Sequence, residues 1–301
     1  MPYHYSRRCG RKLNAKFEFF RFRFHFRALD PVHFPAGKSG NVIRGALGRI
    51  LRDTASPSAY ARLFEPGSDL GQAPSGLGDW PRPFILRAGE LDGRTVPEGE
   101  QFCFDVHIFD PRPGVLSYFH EAFSQFGSQG IGPGHGRVAL QRIQQVDLAD
   151  QAGPVRDAAP LAFDLDPHHE PVERVGVRFL SPTELKSGGT IAARPEFPIL
   201  FARVRDRLST LRALYGSGPL EIDFRGLGER ATHIQMSRCD VHWEKIERKS
   251  GRTGQVHPLG GFTGSAEYEG ELAEFLPWLY AARWVGVGRQ TVWGKGDVRV
   301  V

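Results

Sequence analysis

Residues 17–27, FEFFRFRFHFR, alternate strictly from Phe20 onward. Phe20, Phe22, Phe24 and Phe26 fall on one face, and Arg21, Arg23, His25 and Arg27 on the other. A period of two marks a half-buried strand, with the Phe side in a core and the Arg/His side toward solvent or a phosphate-bearing surface. After a Pro/Gly-rich turn, Val42, Ile43, Ala46, Leu47, Ile50 and Leu51 form an apolar stripe at helical spacing. Arg44, Arg49 and Arg52 lie outside it, and Ser39 or Asn41 can cap the helix. Residues 54–81 are rich in Ser, Pro and Gly and read as a long irregular insertion. The pattern then predicts strands over 82–88 and 100–109. A helix follows over 115–126 through Leu116, Phe119, Ala122, Phe123 and Phe126, and a strand over 138–146 after a Gly-rich turn.

Strand, helix, strand, strand, helix, strand is the order of a ferredoxin-like unit. Residues 147–173 hold seven acids, four prolines and no lysine, and read as a linker or surface excursion. The order then recurs: a strand at 173–180, a helix at 196–214, strands at 219–224, 232–247 and 256–268, a short helix within 271–282, and a strand at 297–301. The expected fold class is therefore α+β, with two tandem ferredoxin-like (RRM-like, βαββαβ) domains. Their expected bounds are 1–150 and 173–301, joined by an acidic linker at 151–172, with a C-terminal glycine-rich loop at 286–296.

Charge changes the picture. The formal net charge is +5, but the excess is clustered. Arg7, Arg8, Arg11, Lys12, Lys16, Arg21, Arg23 and Arg27 face a single acid, Glu18, and Lys245, Arg248, Lys249 and Arg252 form a second cluster. One such cluster fits a solvated basic face equally well. Two with a basic balance point toward a polyanion, because phosphate neutralisation supplies much of nucleic-acid affinity. The basic N-terminal stretch has neither the apolar run nor the small-residue cleavage site of a signal peptide, and no segment approaches the ~20 apolar residues of a membrane span. Three scattered cysteines, Cys9, Cys103 and Cys239, do not fit a disulfide framework, so a reducing cytoplasm is expected.

Common enzyme signatures fail. Gly37-Lys38-Ser39 resembles the end of a P-loop, but its upstream Gly position is Val32. His120-Glu121 opens like a zinc-protease helix, yet the second His position is Ser124, and His168-His169-Glu170 has no further ligand set. No metal or other cofactor is expected. What remains is His257-Pro-Leu-Gly-Gly-Phe-Thr-Gly, followed by a loop in which Gly286, Gly288, Gly294 and Gly296 interleave with Arg289, Gln290, Trp293 and Lys295. Glycines admit phosphates to backbone N–H groups, cations supply charge, and Trp293 offers a face for a base. The same glycines also suit ordinary tight turns.

The segment GGFTGSAEYEGELAEFLPWLYAARWVGVGRQTVWGKG, residues 260–296, resembles the C-terminal glycine-rich signature of the CRISPR repeat-processing endoribonucleases of the RAMP superfamily. Gly40 to Arg52, Tyr60 to Pro66 and Gly130 to Leu140 are similar to that family as well, so the resemblance covers most of the chain in order. It implies the same tandem ferredoxin-like fold, binding of CRISPR repeat RNA, and one cut per repeat without metal. In that reaction the ribose 2′-hydroxyl attacks the adjacent phosphate, leaving a 2′,3′-cyclic phosphate and a 5′-hydroxyl. This chain departs from the family at Gly286, where many relatives carry His, which leaves the terminal loop a role in binding. It also lacks the cysteines many relatives carry near residues 53–60, which implies a plain loop there. The alternative is a non-catalytic RAMP subunit that grips RNA beside other CRISPR effector subunits.

Transesterification needs a base, an acid and cations around the phosphorane, and histidine suits the first two. Among eleven histidines, His107 and His242 alternate with strand core positions, while His168 and His169 lie in the linker. His25 suits phosphate contact, and His135 in its Gly turn suits RNA contact. His257, beside the second basic cluster, and His33, just before the first helix, rank first as catalytic groups. Arg44 is the candidate catalytic cation. Arg21, Arg23, Arg137, Lys249, Arg252, Gly286, Gly288, Arg289, Trp293 and Lys295 are the candidate RNA contacts.

Overall fold

In a computed structural model, residues 15–67, 80–155, 159–249 and 256–301 are described. The N-terminal half runs β1 (Lys16–Ala28), β2 (Val32–His33), α1 (Ser39–Thr54), α2 (Pro57–Phe64), β3 (Phe84–Arg87), β4 (Thr95–Val96), β5 (Gln101–Ile108), α3 (Val115–Ser124), α4 (Phe126–Gln129), β6 (Val138–Val146), β7 (Ala152–Pro154) and β8 (Leu161–Asp164). Its main sheet has the order β3-β5-β1-β6-β7, antiparallel throughout, with β8 added to the first residues of β1. The second half runs β9 (Arg174–Thr183), the small hairpin β10 (Lys186–Ser187) and β11 (Thr190–Ile191), α5 (Phe197–Tyr215), α6 (Phe224–Ala231), β12 (Gln235–Glu244), β13 (Glu247–Lys249), β14 (Val256–Pro258), β15 (Gly261–Glu269), α7 (Leu276–Val285) and β16 (Val298–Val300). Its sheet order is β12-β15-β9-β16. Each half thus places its first strand between its third and fourth, the ferredoxin-like arrangement predicted from the order of elements.

β1 shows why the alternation matters. Phe22, Phe24 and Phe26 are buried with Phe104, Phe119 and Phe123 beneath α1 and α3, while Phe20 is only half-buried. The opposite face is not a solvent face along its whole length. Phe17 and Phe19 on it are buried, and with Ile85 and Phe109 they join the core of the second half. In return, Val292 from the C-terminal loop joins the core of the first. Each fully buried aromatic contributes roughly 2–3 kcal/mol of transfer free energy, so this exchange binds the two halves firmly.

Several expectations are corrected. The stretch 54–81 is not wholly irregular, since Ser56 caps α2, whose Leu63 and Phe64 reach the core; residues 68–79 lie outside the described ones. Residues 219–224 do not form a strand. Leu220 is buried and Ile222 half-buried, which mimics a strand's period, but β12 already holds that sheet edge, and Asp223 instead caps α6. Within 151–172, β7 and β8 are added to the first sheet. Among the described residues no helix is long and apolar enough to cross a membrane.

Candidate nucleic-acid interface and active site

The sheet faces not covered by helices border a cleft of about 960 Å³, lined by β1, β3 and β5 on one side and by residues around Ser181, Lys295 and Arg299 on the other. Its wall is rich in arginine, and sequence reasoning offers Arg21 and Arg23 to a phosphate chain. The structure spends them otherwise. Arg21 is 6% exposed. It donates from Nε and Nη2 to Asp105 Oδ2 at 3.0 and 2.7 Å, from Nη1 to Asp150 Oδ1 at 2.6 Å, and its guanidinium lies 5.3 Å from the Trp284 ring. Arg23 shares the same carboxylate, donating from Nε to Asp105 Oδ1 at 2.7 Å, and keeps only part of its surface exposed. Asp150 also accepts from Arg283 at 2.7 Å.

The titration behaviour follows. Burial opposes ionisation of Asp150, but hydrogen bonds from Arg283 and Arg21 outweigh it and hold the carboxyl at about 2. Asp105 is held low in the same way, burial being overcome by the hydrogen bond from Arg23 and the charge of Arg21. Beside them His107, buried against Phe19 and Trp284, donates from Nδ1 to the Trp284 carbonyl at 2.8 Å. Desolvation, reinforced by the charge of Arg87, pushes it down to about 3, so it is a neutral seam residue. These groups form a lock between the two halves.

The glycine-rich loop is also turned to structural use. A Cβ on Gly288 would strike the Glu184 carbonyl, and one on Gly296 the Val287 carbonyl; both glycines have positive φ. The N–H groups of Gly286, Val287, Arg289, Trp293, Gly294 and Gly296 already donate to protein carbonyls. Lys295 is 3% exposed and donates to the Gly37 carbonyl at 2.7 Å. Burial lowers its pKa against the opposing charges of Asp92 and Glu244. Arg44 lies 5.7 Å from the Trp293 ring and 5.0 Å from that of Phe64, so this loop packs against α1. Arg289 pairs with buried Glu184. The close approaches that these glycines permit are made to the protein's own backbone.

A different set of groups is exposed at the rim. β2 and β4 pair in the register Val32↔Val96 and His33↔Thr95. Both valines are buried, at 1% and 0% exposure, which turns His33 and Thr95 outward as exposed cross-strand neighbours. His33 Nδ1 lies 3.0 Å from Thr95 Oγ1. The Gly130–Gly136 turn backs onto the same place: a Cβ on Gly132 would sit 3.1 Å from the His33 carbonyl, and one on Gly136 only 2.5 Å from that of Pro31. The turn carries His135, exposed and at φ 51°, and leads to Arg137, exposed and paired with Asp30 at 2.7 Å. The hydrogen bonds from Arg137 hold Asp30 at about 2. Arg94 is exposed beside Thr95.

His257 lies opposite Arg248 in the β13–β14 hairpin, and Lys249 opposite Val256, but both side chains lie outside the described residues, as does all of Arg252. Sequence reasoning passed over Thr95, Asp105 and Trp284. No local signal marks them, since each matters only through a partner distant in the chain. His168 forms local contacts with Glu170, and among the described residues no three His, Cys, Asp or Glu side chains gather to hold a metal ion.

Residues 177–298 match the family model of the CRISPR-associated endoribonuclease Cas6. The second half of the chain thus carries a Cas6-type domain. That match ties the chain to RNA cleavage in CRISPR RNA processing. Residues 17–162 match a second model, described as an N-terminal domain. No curated protein matches the chain. Among solved structures, a Cas6 product complex is similar with a TM-score of 0.59 at 18% identity, over 94% of this chain and 100% of that one. Thermus thermophilus Cas6 is similar with a TM-score of 0.54 at 17% identity, over 95% and 99%. A chain of a partial Cas6-RT-Cas1–Cas2 complex has a TM-score of 0.59 at 14% identity, covering 94% of this chain but 46% of that one. At these identities the likeness is one of fold: the Cas6 structures share the tandem ferredoxin-like architecture.

Proposed function

We propose that this chain is a Cas6-family enzyme that binds the repeat of a precursor CRISPR RNA and cuts it once, without metal, by attack of a ribose 2′-hydroxyl on the neighbouring phosphate. One observation carries the reading to a residue. His33 is an exposed histidine beside a cation-rich cleft, set in place by two abutting loops, and among the described residues no carboxylate is paired with it. Histidine suits the reaction because it exchanges protons near working pH. In this reading Nε2 of His33 takes the 2′-hydroxyl proton as the bond from O2′ to phosphorus forms. The bond from phosphorus to O5′ breaks, the 5′-oxygen takes a proton from solvent water, and the RNA ends are a 2′,3′-cyclic phosphate and a 5′-hydroxyl. Arg94, Arg137 and Arg299 are exposed cations placed to meet the RNA backbone, with Arg252, Lys249 and the loop bearing His257 in the same role.

The product complexes of Cas6 relatives support an RNA partner, and the Cas6-RT-Cas1–Cas2 neighbour supports other Cas proteins as further partners. The test is incubation with the host's CRISPR repeat RNA in EDTA, beside RNA carrying a 2′-deoxy ribose at the cut site. A single EDTA-resistant cut, abolished by the deoxy sugar, supports the proposal. Tight binding without a cut favours the second reading, a non-catalytic RNA-gripping subunit, for which the internal use of Arg21, Arg44 and Lys295 speaks.

A further inference from the structure

A base at Nε2 is useful only if Nε2 carries the lone pair, and a free neutral imidazole has no fixed choice. Which nitrogen holds the proton is set by the hydrogen bond the other one makes. At His33 the other one is Nδ1, and its partner is Thr95 Oγ1 at 3.0 Å. We propose that Thr95 is the positioning residue of the cleavage reaction, its hydroxyl oxygen accepting from Nδ1–H so that Nε2 faces the RNA as the proton acceptor. This rests on the reading of His33 as the base.

The placement is built from both sides. Buried Val32 and Val96 hold the β2–β4 register, and the ladder continues through Phe34 N–H to the Arg94 carbonyl at 2.8 Å and Gly93 N–H to the Phe34 carbonyl at 2.9 Å. The Gly132 and Gly136 approaches close the other side. His33 therefore has a held backbone, and the Thr95 contact orients the ring. As Nε2 takes the 2′-hydroxyl proton, the ring becomes an imidazolium, and Nδ1–H to Oγ1 becomes a charge-assisted bond, stronger than in the resting enzyme. The contact thus favours the transition state over the ground state. Thr95 is also exposed and β-branched, so Val replaces it with the same shape and strand preference but no hydroxyl.

The experiment compares Thr95→Val, Thr95→Ser, His33→Ala and the Thr95→Val/His33→Ala pair in the full chain. It reads single-turnover cleavage of repeat RNA, affinity for the 2′-deoxy RNA, and the nitrogen-15 spectrum of the imidazoles. Expected are a roughly tenfold slower cut in Thr95→Val, affinity within about twofold, and recovery in Thr95→Ser. The Val change should have no further effect once His33 is gone. The spectrum should show His33 protonated at Nδ1 in the native chain and a proton moved toward Nε2 in Thr95→Val. If His33→Ala abolishes cutting while Thr95→Val cuts at the native rate with an unmoved spectrum, the Thr95 proposal is overturned and the base stands. If His33→Ala itself cuts normally, the base reading falls, and Thr95 falls with it.

Discussion

The seam between the halves and the rim beside it are built from the same residue types, yet they do opposite things with them. At the seam, Arg21, Arg23 and Arg283 meet Asp105 and Asp150, Lys295 meets a carbonyl, and His107 is buried neutral. At the rim, His33, His135, Arg94 and Arg137 are exposed, and the ion pair between Arg137 and Asp30 is open to water. The physical difference is dielectric. A cation in a low-dielectric seam must be paired to be tolerated, and once paired it is unavailable to an RNA phosphate. A cation at the rim has only weak competition from its acid, because an exposed pair contributes about 0–1 kcal/mol. A basic cluster in a sequence therefore measures nothing about RNA contact until its carboxylates are located.

That contrast can be broken first by removing one histidine from each region. His33→Ala should slow single-turnover cleavage by about 10²–10⁴-fold while leaving the urea midpoint unchanged; an unchanged rate would move the chemistry elsewhere. Next in size is Asp105→Ala, which removes the buried carboxylate shared by Arg21 and Arg23, leaves Arg21 only its contacts to Asp150 and the Asp147 carbonyl, and should lower stability by about 3–5 kcal/mol, read from urea unfolding. Arg21→Met in the same background should recover much of that loss, because the buried charge that lost its main partner is then gone.

His107 supplies a pH signature for the seam. Its folded-state value of about 3 lies below the ordinary 6.5. The unfolded chain takes up a proton as pH drops through 6.5 and the folded chain does not until about 3. Its contribution is therefore complete above 6.5 and is lost as pH falls toward 3. Between pH 7 and 5 the native protein should lose about 2 kcal/mol of stability through this residue. His107→Phe should show a flatter profile across that window in parallel urea titrations, and an identical profile would remove the seam histidine from the account. The smallest effect belongs to the rim cation Arg137. Arg137→Ala should weaken RNA binding several-fold at low salt and reduce the slope of log affinity against log salt by about 1, without shifting the thermal midpoint.

Much of the architecture was legible because the signals that encode it are local. The period-two run at β1, the stripe of α1 and the Phe spacing of α3 each report a buried face through a few adjacent residues, and the recurring order of elements yields both sheets. Residues 219–224 show the limit: Leu220 and Ile222 alternate as in a strand, but a strand also needs an unoccupied sheet edge, and β12 has taken it. The candidate site was legible in part. His33 and Arg137 were chosen from local context and stand exposed at the rim, whereas Arg21 and Lys295 were chosen on the same grounds and are buried, and Arg44 is half-buried against Trp293.

By itself the sequence determined the two ferredoxin-like patterns, the inventory of arginines and histidines, and the glycines whose absent side chains allow close approach. Only the tertiary structure decided what those groups are for. Arg21 meets Asp105 across 84 positions and Asp150 across 129, and Lys295 reaches Gly37 across 258. Such pairings depend on how two sheets face one another, and burial then makes them obligatory. His33 escaped that fate because Val32 and Val96 took the inward side of a two-residue ladder and left the outward side to chemistry.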